Sequence, residues 1–73
     1  MDREVRLRQL AQAEQNVAEG KASIAKQQRL IVESERDGHD TAETMRLLET
    51  FLLLQQSREQ QRARILDELS ESS

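Results

Sequence analysis

Cysteine and proline are absent from this chain, and its aromatic side chains are reduced to one, Phe51. Without cysteine there is neither a disulfide framework nor a thiol nucleophile. Glycine occurs only at positions 20 and 38, so little in the sequence interrupts a long helix. With 73 residues, of which 34% are charged, the composition favours one small domain of long helices over a β-sheet.

Long apolar runs are also lacking. The longest is "FLLL" at residues 51–54, far short of the roughly 20 apolar residues that cross a bilayer. The first residues do not combine a basic start with an apolar stretch, so a secretion signal is not indicated. The net charge is −3 and like charges do not cluster, which disfavours a surface for nucleic acid. These features predict a soluble, cytoplasmic protein without a membrane contact.

The apolar residues that are present recur with a helical period. Between residues 2 and 36 one row repeats every seven residues, and a second row of mostly small residues lies beside it. The two rows predict one helix with a single broad apolar stripe. The first row is Leu10, Val17, Ile24 and Ile31, and the second is Ala11, Ala18, Ala25 and Val32.

A second helix is predicted over about residues 41–69, followed by a frayed polar tail at 70–73. Its apolar face is interrupted by a glutamine-rich stretch at 55–61, which predicts a polar middle between two apolar ends. The face comprises Met45, Leu48, Phe51, Leu52, Leu54, Ile65, Leu66 and Leu69, joined by Gln55 and Arg62.

Between the two helices, residues 37–40 carry a stop signal and a start signal. Gly38 lies where a left-handed residue commonly ends a helix. Asp40 followed by Glu43 reads as an N-cap with an acidic third helical residue, a capping-box arrangement. His39 has no evident structural role in this turn. The pattern predicts an all-α fold, an antiparallel two-helix hairpin, as a single domain over residues 1–73.

A hairpin of two helices has no interior of its own, so much of its apolar stripe stays in contact with water. The sequence therefore predicts dimerisation into a four-helix bundle. The residues expected to carry this association are Leu10, Val17, Ile24, Ile31, Leu48, Phe51, Leu52 and Leu66.

His39 and the acidic side chains around it are the only candidates for chemistry. A metal site there would lack a second histidine, and the acidic residues are better explained as helix caps. A single exposed histidine also offers no nucleophile–base pair. We therefore expect a protein that is not an enzyme and holds neither a metal nor a cofactor.

The turn and the start of the second helix resemble a group of short bacterial proteins of unknown function. These proteins look like helical hairpins, with a turn of the form ER-x-GHDTAE followed by a Leu-Leu and Phe pattern. The resemblance implies the hairpin fold and assigns no functional residues. The matching positions are Glu35, Arg36, Gly38, His39, Asp40, Thr41, Ala42, Glu43, Leu47, Leu48 and Phe51.

These observations favour a non-catalytic protein–protein interaction module, a small self-associating regulator, adaptor or assembly factor. One alternative is a hairpin dimer that binds RNA through Arg58, Arg62 and Arg64. The negative net charge and the lack of aromatic residues for base stacking disfavour it. Another alternative is a monomeric hairpin that folds onto the helices of a larger partner.

Overall fold

The computed structural model describes residues 2–71 as two α-helices joined by a short turn. Helix α1 spans Arg3–Arg36 and helix α2 spans Ala42–Glu71. The helices pack against each other along their length, and no strand occurs within residues 2–71. The resulting hairpin is a rod whose Cα atoms extend over 55 × 14 × 13 Å.

Helix α1 begins at a capped end. The carboxylate of Asp2 accepts a hydrogen bond from the backbone N–H of Glu4 at 3.0 Å, which satisfies one of the free donors of the first turn. Glu4 also places a negative charge in this turn, where the helix dipole is positive.

The turn that ends α1 is a Schellman motif. The N–H of His39 donates to the carbonyl of Ser34 at 2.8 Å, and the N–H of Gly38 donates to the carbonyl of Glu35 at 3.1 Å. Gly38 has a φ of +75°, the left-handed conformation that L-residues with a side chain rarely adopt. The motif therefore satisfies the last carbonyls of α1 and reverses the chain.

Helix α2 starts one residue after the predicted N-cap. Thr41, rather than Asp40, accepts its first backbone hydrogen bond, from the N–H of Met45 at 2.9 Å, and within residues 2–71 Glu43 makes no reciprocal bond to Asp40. Asp40 accepts a hydrogen bond from the N–H of Ala42 at 3.0 Å, and Glu43 lies exposed in the first helical turn. At the other end α2 continues through Ser70 to Glu71, so the tail predicted to fray from residue 70 is helical over these two residues. The rest of that predicted tail, residues 72–73, lies outside the described residues, as does residue 1.

The side chains between the helices, called the seam below, recur at alternating spacings of three and four residues. This average period of about 3.5 is that of a left-handed coiled coil. The least exposed positions that follow it are Leu10, Ala13, Val17, Gly20, Ile24, Gln27, Ile31 and Ser34 of α1, Thr41 just before α2, and Thr44, Leu48, Phe51, Gln55, Arg58, Arg62, Ile65 and Leu69 of α2.

The period of the seam corrects the broad stripe predicted for α1. The seam combines the row of Leu10 and Val17 with the row of Ala13 and Gly20. This second row lies on the opposite side of the Leu10 row from Ala11, Ala18 and Ala25. The expected second row, from Ala11 to Val32, is exposed instead. The reason is geometric, since a 3.5-residue period selects positions three and four apart, whereas the alanine row directly follows the first row in the chain.

The apolar core is small and lies toward the open end of the hairpin. Ala13, Ile65 and Leu69 form a buried cluster with Leu10 packed against it. Within residues 2–71, only these three and Val17 are buried apolar residues, and none of them is completely enclosed. Neither helix, over the same residues, is both long and apolar enough to cross a membrane.

Candidate interaction surface

The middle of the seam is polar and is organised around Gln55. The side-chain amide of Gln55, 6% exposed, donates to the backbone carbonyl of Val17 at 2.9 Å. A carbonyl oxygen has two lone pairs, so it can accept this bond in addition to its helical one. Gly20 leaves the space that the amide occupies, because a Cβ atom there would overlap Gln55 Oε1 and lie 2.8 Å from Arg58 Nη1. The absence of a side chain at Gly20 in α1 thus makes room for the polar side chain of Gln55 in α2.

Two buried polar atoms of the seam have no hydrogen-bond partner within the described residues. They are Oε1 of Gln55 and Nε of Arg62, both on α2. Each such group weakens the hairpin, because it loses its contact with water and gains no replacement. The polar middle therefore specifies the register between the helices more than it stabilises them, as polar residues do in coiled-coil cores.

One face of the hairpin beside the seam is a polar groove, called the amide groove below. It contains side-chain amides of both helices, and the ion pair of Arg6 with Glu68 lies at its open end. A smaller extension runs toward Ser57. The groove is lined mainly by Gln9, Gln12 and Asn16 of α1 and by Gln61, Arg64 and Glu68 of α2.

The opposite face, called the apolar face below, carries a different set of side chains. The residues that line the amide groove directly precede a seam residue in the chain, whereas those of the apolar face directly follow one, except Leu7, which precedes Leu10 by three. In an α-helix these two sets of positions lie on opposite sides of the seam. Every residue of the apolar face is exposed. The apolar face comprises Leu7, Ala11, Ala18, Ala25 and Val32 of α1 and Met45, Leu52 and Leu66 of α2. Exposed polar residues occupy other positions on the same side: Glu14, Lys21 and Gln28 of α1 and Glu59 of α2.

Four more exposed leucines lie outside the apolar face, all in the half of the hairpin near the turn. Leu30, Leu47 and Leu54 flank the seam on the side of the amide groove, and Leu53, 68% exposed, lies on the back of α2. Exposed apolar side chains are therefore concentrated near the turn on α2, whereas the apolar face runs the whole length of the rod.

The residues predicted to carry association fall into two groups. Six of them lie in the seam, where Val17 is buried and Leu10, Ile24, Ile31, Leu48 and Phe51 are half-buried. Leu52 and Leu66 are exposed on the apolar face, at 47% and 44% of their full accessibility. Met45 and Leu54, expected on the same face of α2 as Phe51, are exposed as well. The single predicted face of α2 is therefore divided between the seam and its two flanks.

The turn residues lie together at one tip of the rod. Gly38, His39, Asp40 and Glu43 are all exposed, and each structural contact described above comes from the backbone or from Asp40. Across residues 2–71 no group of three histidine, aspartate or glutamate side chains is placed to hold a metal ion. His39 completes the turn through its backbone N–H, and its imidazole is exposed.

The three arginines considered for RNA binding are placed in different environments. Arg58 and Arg62 are partly buried in the seam, and only Arg64 is exposed, in the amide groove. The three side chains therefore do not form one continuous basic strip, which a phosphate backbone would require.

Sequence reasoning missed the structural role of Gly20 and of the row that contains it. Ala13, Gly20, Gln27 and Ser34 repeat every seven residues, three positions after the row of Leu10. Their small or polar side chains hide this row from a search for large apolar residues. The regular spacing of three and four was the available signal.

Comparison with known proteins found no matching family model, and neither the search of curated proteins nor that of solved structures returned a match.

Proposed function

We propose that this chain is a non-catalytic protein–protein interaction module that self-associates as a hairpin dimer. The observation that carries the proposal is the division of its apolar residues. Within residues 2–71, four are buried between the helices, whereas nine large apolar side chains are substantially exposed. A chain with more large apolar side chains on its surface than in its core has a surface that favours association.

The size of the core supports the same proposal. A domain of this length buries only a modest part of its surface, and two helices in contact leave each other's outer faces open to water. The polar middle of the seam adds unsatisfied groups at Gln55 and Arg62. Packing a second hairpin against the first supplies the burial that one hairpin lacks, as in a four-helix bundle.

Dilution of the purified chain tests the proposal directly. We expect sedimentation or light scattering to show a dimer that dissociates as the concentration falls. Circular dichroism on the same samples should show a melting temperature that rises with concentration, because dimerisation stabilises the folded state by mass action. A monomer with an unchanged melting temperature over a hundredfold range of concentration would contradict self-association.

The same samples separate the other two functions. A weakly helical monomer that gains helix only on binding another protein would favour the hairpin that folds onto a larger partner. Salt-sensitive retention of the dimer on RNA would favour the nucleic-acid function, since neutralised phosphates release counterions. We expect neither result.

A further inference from the structure

We infer that the second copy docks on the apolar face, with a two-fold axis along the rod and both turns at the same end. This inference rests on the proposed self-association and specifies its geometry. In such a dimer α1 of each copy lies against α2 of the other, and the two amide grooves remain open on the outside.

The first step concerns the heights of the residues along the rod. Gln55 lies beside Gly20. Ala25 is five residues closer to the turn than Gly20, and Leu52 is three residues closer than Gln55. At about 1.5 Å per residue, Ala25 and Leu52 lie within about 3 Å of the same height.

The same relation repeats along the whole face, because both rows have a seven-residue period. Val32 lies level with Met45, and Ala11 lies level with Leu66. Each large side chain of α2 therefore has a smaller side chain of α1 at its own height.

The second step concerns symmetry. In a two-fold dimer the same surface meets itself, so a row of large residues needs a complementary row on the same face. The apolar face provides both rows: alanines and a valine on α1, and Met45, Leu52 and Leu66 on α2. A two-fold axis parallel to the rod leaves each residue of the second copy at the same height as in the first, and it places α1 of one copy opposite α2 of the other. Leu52 of one copy then meets Ala25 of the second copy, and the contact occurs twice. An axis across the rod would instead place α2 against α2, large against large.

One position interrupts the large row and has a charged neighbour available. Glu59 lies between Leu52 and Leu66 in the seven-residue series, level with Ala18. Lys21 lies on the same flank of α1, within one turn of Ala18, and both Lys21 and Glu59 are exposed. The proposed axis brings the Glu59 carboxylate of each copy toward the Lys21 ammonium of the other. Lys21 is thus the opposite charge for Glu59 across the axis, and the exposed Glu14, four residues before Ala18 on the same flank, is a like charge.

The area of the face is the third step. One whole side of the rod, 55 Å long and 14 Å wide, has a projected area of roughly 770 Å², which apolar and polar residues share. A standard stable interface buries about 800 Å² on each partner. A second copy must therefore use the full length of this side of the rod, including its polar positions, and the proposed axis makes the full length available. The leucines beside the amide groove, in contrast, occupy only the half of the rod near the turn.

A matched pair of substitutions tests which face binds. Leu52 and Leu54 are both on α2, are exposed to nearly the same extent, 47% and 45%, and lie on opposite flanks of the seam. We expect Leu52→Gln to raise the dimer dissociation constant at least about tenfold, because a polar group enters the interface in both copies. Leu54→Gln should change the constant less than threefold. Sedimentation equilibrium measures both, and the helical signal at low concentration checks that each variant folds.

A distance measurement tests the orientation. The chain has no cysteine, so His39→Cys provides a single site for a spin label at the tip of the rod. With the turns together, the two labels should be within roughly 20 Å plus the linkers, about two helix diameters. With the turns at opposite ends, they would be separated by about the 55 Å length of the rod.

These two experiments separate failure of the geometry from failure of self-association. A dimer weakened by Leu54→Gln and not by Leu52→Gln would overturn the choice of face. A dimer with labels near 55 Å apart would overturn the axis, and in both cases self-association would stand. Unmodified protein that is monomeric at every concentration would overturn the proposed function and the inference together.

Discussion

The side-chain amide of Gln55 donates to the carbonyl of Val17 in the space that Gly20 leaves open, and this contact ties α2 to α1 in one register. Glycine inside a helix usually weakens it by about 1 kcal/mol relative to alanine. Here the glycine has a use, because the adjacent helix places a buried amide where a methyl group would otherwise be.

Gly20→Ala should therefore destabilise the hairpin, against the usual direction of this substitution in a helix. The new methyl group displaces the Gln55 amide from Val17, and the loss of a buried hydrogen bond, about 1–3 kcal/mol, exceeds the gain in helix propensity. We expect a net decrease of about 1 kcal/mol in the free energy of unfolding, measured by urea denaturation at constant protein concentration.

The Gln55→Ala background provides the control for this substitution. Without the amide there is nothing for the methyl group to displace, so Gly20→Ala should then stabilise the protein by up to about 1 kcal/mol. The same sign in both backgrounds would show that Gly20 and Gln55 are not coupled.

Gln55→Leu should raise the free energy of unfolding by about 1 kcal/mol. The substitution removes the buried Oε1 atom that lacks a partner and keeps a side chain of similar volume in the seam. The carbonyl of Val17 keeps its place in the helix. Thermal and urea unfolding measure the effect, and a decrease of more than about 1 kcal/mol would mean that the amide stabilises the seam. We also expect the alignment of α1 with α2 to become less uniform in this variant, which broadened amide resonances in NMR spectra would show.

Gly38→Val should destabilise the turn by about 1–2 kcal/mol. A Cβ atom at Gly38 would meet no other atom within 4 Å, so the effect comes from the backbone alone, whose φ is +75°. Gly38→Asn should cost less, because asparagine tolerates the left-handed conformation. Equal melting temperatures for the wild type and Gly38→Val would argue that the turn adopts another conformation.

His39→Ala is the control at the neighbouring position. The backbone N–H of His39 makes the hydrogen bond to Ser34, and the side chain is exposed. The substitution should therefore change the free energy of unfolding by less than about 0.5 kcal/mol. A larger loss would reveal a contact of the imidazole, for example with a second copy.

Glu68→Gln should have a small effect that depends on salt. Glu68 pairs with Arg6 near the open end of the hairpin, and both side chains are in contact with water. Exposed ion pairs contribute about 0–1 kcal/mol, and salt screens them. We expect a loss below about 1 kcal/mol at low ionic strength that becomes smaller in 0.5 M salt. A loss that salt leaves unchanged would indicate packing by the Glu68 stem rather than charge.

Most of the fold was predictable from local signals. The seven-residue row from Leu10 to Ile31 predicted α1, and the stop and start signals at Gly38 and Asp40 predicted a short turn and hence two antiparallel helices. These signals act within a few residues of the chain, so their physical basis, a left-handed glycine and carboxylate caps, can be read in one dimension.

The candidate surface was less predictable, as Leu52 and Ala25 illustrate. Both belong to apolar rows, and the sequence alone placed them in the same stripe as Leu48 and Ile24. They lie outside the seam because the two helices must share a 3.5-residue period to stay in contact over nine turns, and that period leaves room for only two positions in every seven.

By itself, then, the sequence determined two long helices, the site of the reversal between them and the absence of a large core. The tertiary structure alone decided which apolar residues meet. Gly20 receives the side chain of Gln55, and this contact sets the register. With the seam residues facing each other, the rows of Ala25 and Leu52 lie outside the seam, on the same face of the hairpin. Periodicity is a property of one helix, whereas register and the choice of face arise only when a specific side chain on one helix fits a specific gap on the other.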